Sequence, residues 1–189
     1  MEKATQPRAF YGSFFHAPEY GSFEYLECAL IEVGEDGAIE RVIAHDDPDQ
    51  AAAVAKAREA GALYELGEGR FGLPGFVDIH VHSPQWPQAA LALDEPLYRW
   101  LDERTFPLES KFADVDFAKE VYSDLVGQLL ARGSTTAVYL GSAHLEATVA
   151  LAEICAERGQ RALVGKTVMD DPAANPDYYR DASPEQAVR

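Results

Sequence analysis

Hydrophobic and polar positions follow different rhythms on the two sides of Gly72-Leu73-Pro74-Gly75. Before that run, residues 8–48 read as short strands and turns. Arg8 to Phe15 is aromatic-rich, Tyr25 to Val33 alternates imperfectly, and Gly37 to Ala44 is a further strand. Glu35-Asp36-Gly37 carries hairpin chemistry, because Asp-Gly supplies the positive φ that such turns need. An alanine-rich helix is predicted from about Asp49 to Ala60, stopped by Gly61, and Leu63 to Leu66 returns as a strand. Residues 1–72 are therefore expected to form a small β-rich domain.

From residue 73 onward strands and helices alternate. The strand 76–82 leads into a long connection, residues 83–114, holding a short helix around Leu97 to Asp102. A helix from about Asp116 to Arg132 keeps Phe117, Ala118, Val121, Tyr122, Leu125, Val126, Leu129 and Leu130 on one face. Gly133 ends it and Thr135 to Leu140 is the next strand. A helix from about Leu145 to Arg158 stops at Gly159, and Ala162 to Val168 is a third strand. This order implies parallel strands with right-handed crossovers, hence an α/β sheet or barrel. Ser183-Pro184-Glu185-Gln186 has the form of a helix start with a capping box, and three residues follow it. A helix needs about 12 residues to be marginal alone, so truncation is expected.

Composition narrows the classes of partner. The chain has 189 residues, 47% hydrophobic and 25% charged, which reads as globular. Thirty-two acidic against sixteen basic residues give a net charge of −16, which disfavours nucleic acid and anionic membranes as partners. No apolar stretch approaches the roughly 18 residues of a membrane span. Met1 to Arg8 lacks the apolar core of a signal peptide, so a cytoplasmic address is expected. Cys28 and Cys155 lie in apolar contexts without metal or redox spacing, and both are expected as buried free thiols.

The densest chemistry sits on the strand Phe76-Val77-Asp78-Ile79-His80-Val81-His82. Alternation predicts Asp78, His80 and His82 on one face and Val77, Ile79 and Val81 on the other. Two imidazoles at the C-terminal end of a parallel strand are placed to ligate a metal such as zinc, at the end where barrel active sites lie. A catalytic zinc usually takes three protein ligands. His144 follows the next strand, either facing a site or starting a helix. His16 and His45 read as surface or turn residues. Gln85 offers a donor pair and an acceptor suited to an amide-like edge, and reads equally well as a solvated loop residue. There is no phosphate-cradling glycine loop and no nucleophile elbow.

Leu73 to His82 resembles the first barrel strand of the amidohydrolase superfamily. Ser83-Pro84-Gln85-Trp86, Trp100-Leu101, Thr105-Phe106-Pro107-Leu108-Glu109, Gly133 to Tyr139, and Gly159 to Lys166 with Met169-Asp170 narrow the resemblance to guanine deaminases. It covers roughly residues 10–180. It implies that residues 73–189 are the first part of a (β/α)₈ barrel that deaminates guanine hydrolytically with one zinc ion, and that a full-length protein forms a homodimer. By that resemblance His80 and His82 are zinc ligands, Gln85 holds the guanine edge, and Trp86 stands where the family has an aromatic. The other zinc ligands, the catalytic glutamate and a guanine-holding Arg-Phe pair come from later strands in the family, so no catalytic residue is expected within this chain. A full barrel takes about 250 residues. The chain is thus expected to stop after about three barrel strands, to be inactive by itself, and to be prone to aggregate along an open strand edge. Two other readings stay open. One is a different aminopurine or pyrimidine deaminase of the superfamily, against which Gln85 and the Thr-Phe-Pro-Leu-Glu run argue. The other is a non-catalytic remnant that pairs with another chain.

Overall fold

The computed structural model describes residues 8–188, apart from the side chain of Gln186. The signal-peptide reading rests on residues 1–8, of which 1–7 lie outside the described parts, as does the capping role of the Gln186 side chain. The chain divides into two compact units, residues 1–74 and 75–189.

The first unit is a sheet with one helix against it. Strands β1 (Ala9–His16), β2 (Glu24–Val33) and β3 (Ile39–Ile43) pair antiparallel, while β4 (Leu63–Glu65) and β5 (Phe71–Gly72) pair parallel with β1. The β2–β3 turn closes with Gly37 at φ +81°, as Asp-Gly chemistry predicts. Helix α1 (Gln50–Glu59) turns Val54 and Ala57 onto Ala9, Leu30 and Ile43. Its first residue, Gln50, is buried and donates to the carbonyls of Cys28 at 2.7 Å and Ile43 at 3.2 Å.

Cys28 is not the buried thiol expected. Between the pairs Gly12–Ala29 and Phe14–Leu26, Ser13 on β1 opposes both Glu27 and Cys28 on β2. The additional residue forms a bulge with Cys28 at φ +45°, and its side chain is exposed. Cys155 is buried as expected.

In the second unit β6 (Phe76–His82), β7 (Ser134–Leu140) and β8 (Arg161–Gly165) form a parallel sheet in chain order. Helices α4 (Val115–Ala131) and α5 (Leu145–Arg158) make the two crossovers after β6 and β7, the arrangement expected of successive strand–helix units of a barrel. The core is Tyr122, Leu125 and Val126 of α4, Leu151, Ile154 and Cys155 of α5, and Ala137 and Tyr139 of β7. Asp114 caps α4, accepting from the N–H groups of Asp116 at 2.9 Å and Phe117 at 3.3 Å. Gly159 ends α5 at φ +73°, which glycine adopts without strain.

Two expectations need correction, and a third, the helix start at Ser183, is met. The short helix around residues 97–102 is part of a longer helical run: α2 (Leu97–Trp100), a wide π turn (Leu101–Thr105), α3 (Phe106–Glu109) and a final 3₁₀ turn (Ser110–Ala113). Pro107 lacks an N–H, and the wider turn before it carries the helix across that gap. The third strand stops at Gly165 instead of Val168, because Lys166 and Thr167 leave the ladder for side-chain and loop partners. The start at Ser183 does produce a helix, α6 (Pro184–Ala187), of one turn.

Strict alternation also fails on β6. Asp78 pairs with Ala137 and Val81 with Tyr139, so two residues, Ile79 and His80, face one on β7. The Asp78 carboxylate accepts the His80 N–H at 3.1 Å, supplying a local partner where the ladder slips. Val81 packs on the core, whereas Val77 and Ile79 are exposed and do not share its environment.

Candidate metal and substrate pocket

The end of β6 and the 3₁₀ turn that follows it, Ser83–Gln88, build the site. Pro84 opens the turn and is fully buried, and the Ser83 hydroxyl donates to the Leu140 carbonyl at 3.1 Å. The Ser83 bond fastens the turn to the end of β7. His80, His82, Gln85 and Trp86 consequently line one pocket of about 350 Å³, together with Asp78.

Within it the Nε2 atoms of His80 and His82 lie 3.0 Å apart. Two nitrogens bound to one zinc at about 2.0–2.1 Å each can span such a separation. Burial, reinforced by the neighbouring His80, holds the His82 imidazole below its ordinary range, against the opposing pull of Glu109. A neutral imidazole is the ligating form. Among the described residues no group of three or more His, Cys, Asp or Glu side chains is placed to hold a metal. The donors present fit two positions of a zinc site.

Gln85 is not a solvated loop residue. Its Nε2 donates to Glu109 Oε1 at 2.9 Å, and Glu109 Oε2 accepts the Tyr179 hydroxyl at 2.8 Å. Glu109 and Tyr179 are 6% and 1% exposed, so this polar chain runs through the interior. The Tyr179 oxygen also accepts the Ala143 N–H at 3.0 Å, and burial beside Glu109 pushes the phenol pKa up, keeping it a donor. Trp86 donates its indole N–H to Asp124 at 2.7 Å, which leaves the ring as its contribution to the pocket.

His144 takes the second of its two expected roles. It is the N-cap residue of α5, its ring 5.7 Å from that of Tyr179, and it does not line the pocket. His16 meets Glu24 across β1 and β2 at 3.0 Å, and His45 is an exposed turn residue. Glu109 and Tyr179 were missed as parts of this surround. Glu109 belongs to the Thr-Phe-Pro-Leu-Glu run, but nothing in its spacing from Gln85, 24 residues away, signals their contact.

Residues 71–189 match the model of the amidohydrolase family. Over 189 aligned residues the chain is 38% identical to guanine deaminase from Dictyostelium discoideum, covering 96% of this chain and 41% of that protein. Human guanine deaminase is 36% identical over 171 residues, covering 89% and 37%. The crystal structure of guanine deaminase from C. acetobutylicum, with guanine in its active site, superposes at a TM-score of 0.77 with 27% identity, over 92% of this chain and 39% of that one. The chain thus spans about two fifths of the length of these relatives. The family match runs through more than half of the chain and takes in the β6 histidines and both crossovers, and on that ground the protein belongs to the amidohydrolase family.

Proposed function

We propose that this chain contributes the first part of a guanine deaminase, an aminohydrolase that converts guanine and water to xanthine and ammonia. The observation that carries the reading is the paired Nε2 atoms of His80 and His82 beside an amide, Gln85, held by a buried carboxylate. The similarity to guanine deaminases along nearly the whole chain supports it.

In this reading His80 and His82 would hold a zinc ion. When bound, zinc would make water nucleophilic near neutral pH. The two rings hold their nitrogens on one side of the pocket, in the form that the low-lying His82 pKa favours. Gln85 offers hydrogen bonds to a purine edge, and the Trp86 ring supplies apolar surface beside it. The proton transfers to the leaving ammonia need a further acid–base group, which we do not assign to this chain. The proposal therefore gives the 189 residues two ligands and a substrate contact, and no turnover by themselves.

The test is a guanine-to-xanthine assay of the purified chain with added zinc, alongside zinc binding. We expect zinc uptake that depends on both histidines, without turnover. Turnover comparable to an intact deaminase would overturn the assignment of an incomplete site; zinc binding indifferent to both histidines would overturn the site itself. Among the described residues no helix is long and apolar enough to cross a membrane.

A further inference from the structure

Resting on that reading of the pocket, we propose that Glu109, anchored by Tyr179, is a positioning residue that orders the Gln85 amide and so sets the donor and acceptor order a substrate edge must match. A glutamine amide has an acceptor and a donor end of nearly equal shape, and without a constraint either end can face a ligand. Here the constraint is a chain of directed hydrogen bonds. The Ala143 N–H donates to the Tyr179 oxygen, so the hydroxyl proton is free to go to Glu109 Oε2. The other carboxylate oxygen, an acceptor only, meets Gln85 Nε2. That turns the NH₂ group of Gln85 inward and leaves its carbonyl and second N–H for the pocket.

The ligand class follows from this order. A carbonyl facing the pocket requires an N–H on the substrate, and the remaining amide N–H suits an adjacent acceptor. A lactam edge, N–H beside C=O, satisfies both. A purine with an unprotonated ring nitrogen opposite the carbonyl sets two acceptors against each other, and a site built around a buried hydrogen bond rejects such a mismatch. Glu109 is remote from the substrate position in this scheme and acts through Gln85.

Glu109→Gln provides a directional test. Tyr179 would still donate and would take the new carbonyl, leaving the new NH₂ group to face Gln85 and turn its amide over. The 189-residue chain, ¹⁵N-labelled, is examined by NMR with the Gln85 side-chain signal identified by its loss in Gln85→Met. Binding of guanine and of 2-aminopurine, which lacks the lactam edge, is measured on the zinc-supplemented chain. The wild type should show a Gln85 NH₂ signal slow to exchange and a preference for guanine. E109Q should expose that NH₂ group and cut the preference by on the order of tenfold. Y179F should keep the signal protected, because the carboxylate remains. A wild-type signal that exchanges like a surface glutamine, or an E109Q variant that changes neither signal nor preference, would overturn the proposal. A protected Gln85 amide in a chain that binds neither purine would instead overturn the guanine reading, and with it the selection step, while leaving the amide's orientation standing.

Discussion

Lys166 and Asp181 form a 2.9 Å ion pair whose side chains are only 13% and 6% exposed. The ammonium also donates to the carbonyls of Thr167 and Ala187, each at 3.2 Å, and the second carboxylate oxygen accepts the Met169 N–H at 2.8 Å. The pair ties the end of β8 to the chain beyond it. Removing one member strands a buried charge, so Asp181→Ala should lower stability by about 3–5 kcal/mol. Replacing both by Lys166→Met and Asp181→Leu should recover much of that loss. Urea denaturation of the two variants checks the pair, and equal losses would count against it.

The two imidazoles should behave as one site for metal. Either His80→Ala or His82→Ala leaves a single nitrogen donor in the pocket. Each should weaken zinc binding by more than the ~10–100-fold that loss of an outer-shell partner costs. Competition with a chromogenic chelator measures this, and a variant that holds zinc as tightly as the wild type excludes its histidine as a ligand.

The two thiols should separate cleanly under a thiol reagent at pH 8. Cys28 is exposed on its bulge, whereas Cys155 is 2% exposed and burial pushes its pKa up to about 11. One thiol per chain should react at once and the second only on unfolding. Two fast thiols would mean that the α5 core opens readily.

The same thiol predicts an alkaline weakness. The folded pKa of about 11 lies above the ordinary value of 9.0, so the unfolded chain binds fewer protons between these limits. The contribution is fully present below pH 9 and is lost as the pH rises through 11. Linkage puts it at about 2–3 kcal/mol. Over that interval the wild type should lose about this much more stability than Cys155→Ala; parallel pH profiles would argue against the buried thiol.

Gly75 admits no side chain. A Cβ placed there would collide with the Thr135 side chain, since β7 passes close to the start of β6. Gly75→Ala should cost about 1–3 kcal/mol through forced shifts. Gly67→Ala, whose Cβ would meet only the far end of Arg70 at 3.9 Å, should stay within about 0.5 kcal/mol. Thermal melts compare the two.

Much of the architecture was legible because local rules and tertiary contacts agree. The apolar face of α4, its stop near Gly133, and α5 between Leu145 and Arg158 are written in spacing and in breakers. Departures arose where a distant partner won. Cys28 is turned out by a bulge against Ser13, and β8 ends early because Lys166 finds Asp181. Ile79 leaves the rhythm of its strand at the slip between Asp78 and Val81. Periodicity carries no information on a skipped ladder position.

The sequence by itself determined that a strand ends in two histidines, that parallel strands alternate with helices, and that the segments around Gln85 resemble those of guanine deaminases. Only the tertiary structure decided what those residues face. It brought Glu109 and Tyr179, 70 positions apart, into one buried hydrogen-bonded chain with Gln85. It also set His80 against His82 at 3.0 Å and gave His144 to a helix start. The reason is physical: a donor and an acceptor in the interior must meet, and which ones do so depends on packing between elements, which no local pattern encodes.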